Sequence, residues 1–279
     1  MQAGRYNRIR CEHAFWIKPP GVCKQARVPE PRHGQRLLLA RGGFGRWHMA
    51  NDENTNGDDS DGDGGDGRTV WRYARASRGH VIIDADGYFQ LIREAMANAR
   101  QQIFLIGWDF DTRIALHRGG RRWKTASGEG FPSRLGAFVN ALARRRPKLE
   151  IRILKWNFAL AKSLVRGTMA FDLLRWWRQR GIDFKFDAAH PVGTSHHQKI
   201  VVIDDKLAVC GGIDMTSDRW DTREHLDDDP RRRQPGGKFY APWHDVTMMM
   251  EGDVARVLAQ LGRRRWEVAG GIPVPECRE

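Results

Sequence analysis

The 279-residue chain carries 47 Lys and Arg against 34 Asp and Glu, a net charge of +13, and 41% of it is hydrophobic, with 11 Trp and 12 Phe. That much apolar and aromatic material excludes wholesale disorder and suffices for a packed core, in one or two domains at this length. The basic balance favours anionic partners (nucleic acid, acidic lipid headgroups, phosphorylated substrates) without choosing among them, because any chain that uses Arg freely looks the same.

Residues 1–48 hold ten Lys or Arg and two acids, with Pro19, Pro20, Pro29 and Pro31 and little periodicity. They read as a basic, disordered N-terminal region. Cys11, His13 and Cys23 match no standard zinc spacing, and the four cysteines (Cys11, Cys23, Cys210, Cys277) form no disulfide framework. Residues 49–69 are an acidic Gly/Asp linker, with seven acids and no base through residue 67. Asp59, Asp61, Asp63 and Gly64 mimic a calcium loop, but Val70 stands where the bidentate Glu belongs and no amphipathic helix flanks it, so calcium is discounted. Met49 opens this linker, so residues 1–48 also read as an over-extended start.

Residues 70–270 form the folded lobe, followed by a tail over 271–279. His80–Asp84 is a strand. Asp84 or Asp86 caps the helix after it, whose Phe89, Ile92, Met96 and Ala99 recur at helical spacing. Ile103–Trp108 is a buried strand, followed by a loop with Asp109 and Asp111. Phe131–Arg146 reads as a helix, Leu149–Leu154 as a strand, and Met169–Arg180 as a helix closed by Gly181, with strand Ile182–Phe186 behind it. Lys199–Ile203 and Leu207–Cys210 are strands, then come a long polar loop, strand Val246–Met250 and helix Val254–Trp266. The alternation predicts an α/β fold: a mixed, mostly buried β-sheet flanked by helices on both faces. No apolar run reaches the roughly 20 residues that span a bilayer, and the N-terminus lacks the pattern of a secretory signal. By default such a chain is expected in the cytoplasm or at a membrane surface, export by another route aside.

The chemistry concentrates between Ser195 and Asp214. Side chains alternate along an extended chain, so His197 and Lys199 point the same way, and an amine beside an imidazole suits an anionic group. Lys199 would hold a phosphate while His197 approaches phosphorus. Gly211 and Gly212 would let the backbone come close to a ligand. His196 would face away.

The pattern His197-x-Lys199-x4-Asp204, followed by Gly211-Gly212-Ile213-Asp214 and Arg219-Trp220-Asp221, resembles the first of the two His-Lys-Asp motifs of the phospholipase D superfamily. The Gly-Gly-Ile-Asp and Arg-Trp-Asp tail resembles its lipid-cleaving branch, as do Ile106-Gly-Trp-Asp109, Pro242-Trp-His-Asp245 and the helix ending near Arg265-Trp266. The likeness covers roughly residues 70–270. It implies a two-step displacement through a phosphohistidine, hydrolysing or transphosphatidylating a glycerophospholipid at a membrane surface, with no cofactor and no metal.

By the same resemblance His197, Lys199 and Asp204 are the catalytic set. His197 is the nucleophile and Lys199 the clamp on the phosphoryl oxygens, whereas Asp204 satisfies backbone donors away from the substrate. Lys199, Gly211, Gly212 and Asp214 line the phosphate side. An acid beyond the glycines orients the imidazole, with Asp221, Glu224, Asp227 and Asp228 as candidates. The branch carries two motifs per chain, but only His197 here has Lys two places on. The expected partner is therefore a missing second lobe or a second copy forming a homodimer. Two alternatives stay open: a nucleic-acid phosphodiesterase acting as a homodimer, and a catalytically incomplete lobe that only binds lipid.

Overall fold

The computed structural model describes residues 71–156, 169–190 and 194–278. The basic segment, the acidic linker and the calcium-like loop lie outside the described residues.

Nine strands and four helices are described. They are β1 (Arg78–Ile83), α1 (Ala85–Asn98), β2 (Gln102–Gly107), β3 (Arg122–Lys124), β4 (Gly130–Pro132), α2 (Leu135–Arg145) and β5 (Glu150–Trp156). There follow α3 (Met169–Arg178), β6 (Ile182–Asp187), β7 (Ile200–Ile203), β8 (Leu207–Gly211), β9 (Val246–Glu251) and α4 (Asp253–Val268). Seven strands make one sheet in the order β1-β9-β8-β7-β2-β5-β6, and β3 pairs with β4 outside it. Strands β2, β5 and β6 run parallel, and the remaining neighbours are antiparallel. The sheet is therefore mixed, as the sequence predicts.

Every residue of β2 is buried, as a strand covered on both faces requires. Ile103 and Leu105 join the core beneath α1, α2 and α3, whereas Phe104 and Ile106 meet Ala255, Ala259 and Trp266 of α4. Period-two alternation thus sorts one apolar run between two helix layers. The segment after α4 packs too: Val274 is buried in the α4 layer, and Cys277 donates its backbone N–H to Asp205 at 2.9 Å.

Local expectations change in two places. Helix α2 begins at Leu135, because Pro132 holds Phe131 extended and places it in β4 against β3. Asp84 stands at the N-cap of α1 but at φ 63°, and its side chain makes no capping bond. Asp86 instead accepts from Gln90 and from the Trp220 indole. Gly181 does take the left-handed conformation (φ 84°) behind α3 that lets the chain reverse into β6. Among the described residues, no helix is long and apolar enough to cross a membrane.

Candidate active site

Strand β7 runs against β2, with Ile200 opposite Ile106. Residues just before β7 therefore sit at the edge where β2, β5 and β6 end. There Trp108 presents its ring to both motif side chains. The His197 ring meets it edge-on at 5.5 Å between centroids, and Lys199 Nζ lies 5.8 Å from the Trp108 centroid. Lys199 also donates to the His197 carbonyl at 3.0 Å. Both residues precede the strand proper, so Trp108 and this bond, not ladder pairing, place the two groups on one side.

Their environments differ. The His197 side chain is exposed, whereas Lys199 is buried at 8%. A buried ammonium needs a counter-charge, and Asp214 supplies it at 3.2 Å. Asp214 also accepts the Asp109 backbone N–H at 3.3 Å. Asp109 in turn faces the fully buried Lys155 at 2.7 Å and accepts the Thr216 hydroxyl at 2.7 Å. Burial pushes the Asp214 carboxyl above its ordinary value, and the Lys199 charge and the Asp109 N–H pull it back only in part. The result is a rigid support of two ammonium and two carboxylate groups, with one ammonium reaching the surface beside an imidazole. Such a pair can hold and attack a phosphodiester.

Asp204 occupies the other end of β7. At φ 51° its carboxylate accepts the backbone N–H groups of Arg100, Gln101 and Gln102, each at 2.8 Å. Its work is to anchor the start of β2. A Cβ on Gly211 would collide with Thr247, and one on Gly212 with the Asp245 carboxylate. The glycine pair makes room for β9, so the close approach expected toward a ligand is made within the fold. His196 points to the Ala189 carbonyl (3.1 Å) and stacks edge-on with His190, away from His197.

None of the four candidate orienting acids makes a hydrogen bond or ion pair with His197. Glu224, Asp227 and Asp228 are exposed. Asp221 is fully buried and engages another ring: its oxygens meet Arg232, the Thr222 and Trp243 N–H groups, and His225 Nδ1 at 3.1 Å. Burial opposes ionisation of Asp221, but these donors outweigh it and hold its carboxyl below the ordinary value. Among the described residues, His197 has no hydrogen-bonding partner for its ring nitrogens.

Sequence reasoning missed a second cluster on the same edge. Buried Asp84 lies 3.3 Å from His225 Nε2 and 2.8 Å from His244 Nδ1. Its Oδ1 also accepts the Asp245 N–H at 3.2 Å. Asp84, His225 and His244 are the one group among the described residues whose ligand atoms lie close enough to hold a metal ion, within 4.8 Å of one another. Pro242-Trp-His-Asp245 was the available signal, since a His flanked by aromatic and acidic residues in a loop is rarely idle. The aromatics of this loop divide. Trp220 is buried between Arg118 and Arg231, and Tyr240 donates to the Trp220 carbonyl. Phe239 and Trp243 stay exposed under Arg233 and Arg219.

The described residues thus form a seven-stranded mixed α/β lobe with a His-x-Lys pair at its sheet edge. Comparison with known proteins shows what this lobe is similar to. Phospholipase D C of Dictyostelium discoideum is 24% identical over 224 residues, covering 67% of this chain and 12% of that protein. Phospholipase D1 of Homo sapiens is 29% identical over 150 residues, 51% of this chain and 13% of that one. The chain thus spans about an eighth of the length of these curated relatives. Among solved structures, the phospholipase D family member Nuc from Salmonella typhimurium aligns over 68% of this chain and 95% of its own, at 12% identity and TM-score 0.40. No family model matches. Over about two thirds of its length the chain is similar to phospholipases D.

Proposed function

We propose that this chain is one lobe of a phospholipase D-type enzyme, cleaving glycerophospholipids through a phosphohistidine and completed by a second His-Lys lobe. The supporting observation is the contrast between Lys199, anchored by Asp214, and His197, which stands exposed on Trp108 without an orienting acid. In this reading a ring nitrogen of His197 attacks phosphorus as the bond to the headgroup oxygen breaks, and Lys199 neutralises the phosphoryl oxygens. A histidine of the second lobe gives its proton to the departing alkoxide. Water then adds to phosphorus and yields a proton to that histidine, the P–N bond breaks, and His197 is released with phosphatidate. An alcohol in place of water gives headgroup exchange. The second lobe is a further domain of a longer protein or another copy of this chain.

The test is turnover by purified protein on phosphatidylcholine vesicles and on plasmid DNA, with light scattering to fix the oligomeric state. Lipid turnover by a paired species, abolished in His197→Ala, supports the reading. DNA nicking without lipid turnover replaces it with a nuclease. A strict monomer that turns over lipid refutes the paired site, and a paired species with no activity on either substrate leaves a binding lobe.

A further inference from the structure

Helix α3 fills its inward side completely. Trp176 is buried with its indole N–H on the Gly136 carbonyl at 3.2 Å, Leu173 packs against the core, and Asp172 accepts the Thr112 hydroxyl at 2.6 Å. At 100° per residue, the outward side carries Phe171, Leu174, Arg175, Trp177 and Arg178. The three apolar side chains there are 74%, 46% and 78% exposed. Helix α3 packs on β6, the edge strand of the sheet, and its inward side also meets α2.

The charge on this face has one sign. Arg175, Arg178 and Arg180 are exposed; Asp172 is turned inward, and the next acid, Asp183, lies on β6 beyond the Gly181 turn. Large apolar side chains interleaved with arginines on one helical face suit the boundary of an anionic bilayer, where rings and aliphatic chains enter between headgroups and guanidinium groups meet phosphate. The first turn of α3 touches Thr112 in the loop after β2, at the sheet edge that carries His197.

We propose that α3 is a membrane-docking face, with Phe171, Leu174 and Trp177 entering an anionic lipid surface and Arg175, Arg178 and Arg180 holding its phosphates. Docked this way, the chain keeps its site edge near the headgroups. The purpose of docking rests on the phospholipid reading above, but docking itself needs no turnover, so the two fail separately.

The experiment is co-sedimentation of the full chain with phosphatidylcholine vesicles, with and without phosphatidylserine. The wild type and His197→Ala should bind the phosphatidylserine vesicles alike. The triple variant Phe171→Ser, Leu174→Ser, Trp177→Ser should lose about tenfold or more in partitioning, and Arg175→Glu with Arg178→Glu should lose a similar factor on the anionic vesicles alone. These positions are exposed, so circular dichroism should show folded variants, and Trp177→Ser by itself serves where the triple variant does not fold. Binding of the apolar variants equal to wild type overturns the proposal, as does a wild type that binds neither vesicle. A wild-type dimer that the apolar substitutions render monomeric also overturns it, assigning the face to a protein partner.

Discussion

Two imidazoles stand on the same edge of the sheet in opposite circumstances. His225 is held between two buried carboxylates, Asp84 at 3.3 Å and Asp221 at 3.1 Å, and the second of these is braced by buried Arg232. His197 has a ring face to lean on and an ammonium beside it, but no acid. The difference teaches that Asp221 serves the fold here. Through His225 it ties the long loop between β8 and β9 to Asp84 at the end of β1, while the ring of His197 stays exposed.

The largest expected effect separates these roles. His197→Ala should lower turnover by at least roughly a thousandfold with the melting temperature unchanged, since an exposed ring supports little packing. His225→Ala should do the reverse: a loss of roughly 1–3 kcal/mol from unpaired buried carboxylates, with turnover per folded molecule falling only a few-fold. Assays normalised to folded protein measure both. If His225→Ala were the inactive one, the assignment of chemistry to His197 would have to be exchanged.

Half of this contrast was legible in the sequence. The spacing of His197, Lys199 and Asp204 marked the motif, and long apolar runs such as Ile103–Ile106 marked strands buried on both faces. The support beneath Lys199 was less visible. Lys155 lies just past Leu154, where the sequence reads the strand as finished, and its register beside Gly107 of β2 puts the ammonium in the core near Asp109. A lysine set between Leu154 and Trp156 was the signal available. The β3–β4 pair was hidden because Trp123 is its one buried residue in β3, flanked by two exposed bases. Which acid serves which ring is a question of loop path, and spacing carries no information about it.

Next in size are changes to the buried charges themselves. Asp221→Ala should destabilise the protein by about 3–5 kcal/mol, because Arg232, buried with it, loses its counter-charge. Lys155→Met should cost a comparable amount by removing the counter-charge that faces buried Asp109, but on the Lys199 side of the edge. Urea titrations give both values. Equal losses would mean that the two regions are supported alike; a loss for Lys155→Met alone would sharpen the contrast, making the loop clamp dispensable.

The acid limb of stability tests the clamp without mutating its rings. The Asp221 carboxyl is held below its ordinary value of 3.8, so its contribution is fully present above that value. As pH falls through the lowered folded value, the unfolded state has already taken up its proton and the contribution disappears. Wild-type stability should therefore drop on acidification below about pH 4, and Asp221→Asn should show a shallower drop over the same range. Parallel curves for the two proteins would place the acid sensitivity elsewhere.

The smallest effect belongs to His244. Its side chain is 69% exposed, so water competes for the ring and salt screens its attraction to Asp84 at 2.8 Å. Asp84 keeps His225 and the Asp245 N–H when His244 is removed. His244→Ala should therefore cost less than about 1 kcal/mol and lose even that at high salt, whereas the buried Asp221 contacts should hardly respond to salt. Urea midpoints at low and high ionic strength decide it. A loss equal to that of His225→Ala and insensitive to salt would show that the rim histidine shares the load. The distinction between an enclosed imidazole and an open one would then no longer separate support from chemistry on this edge.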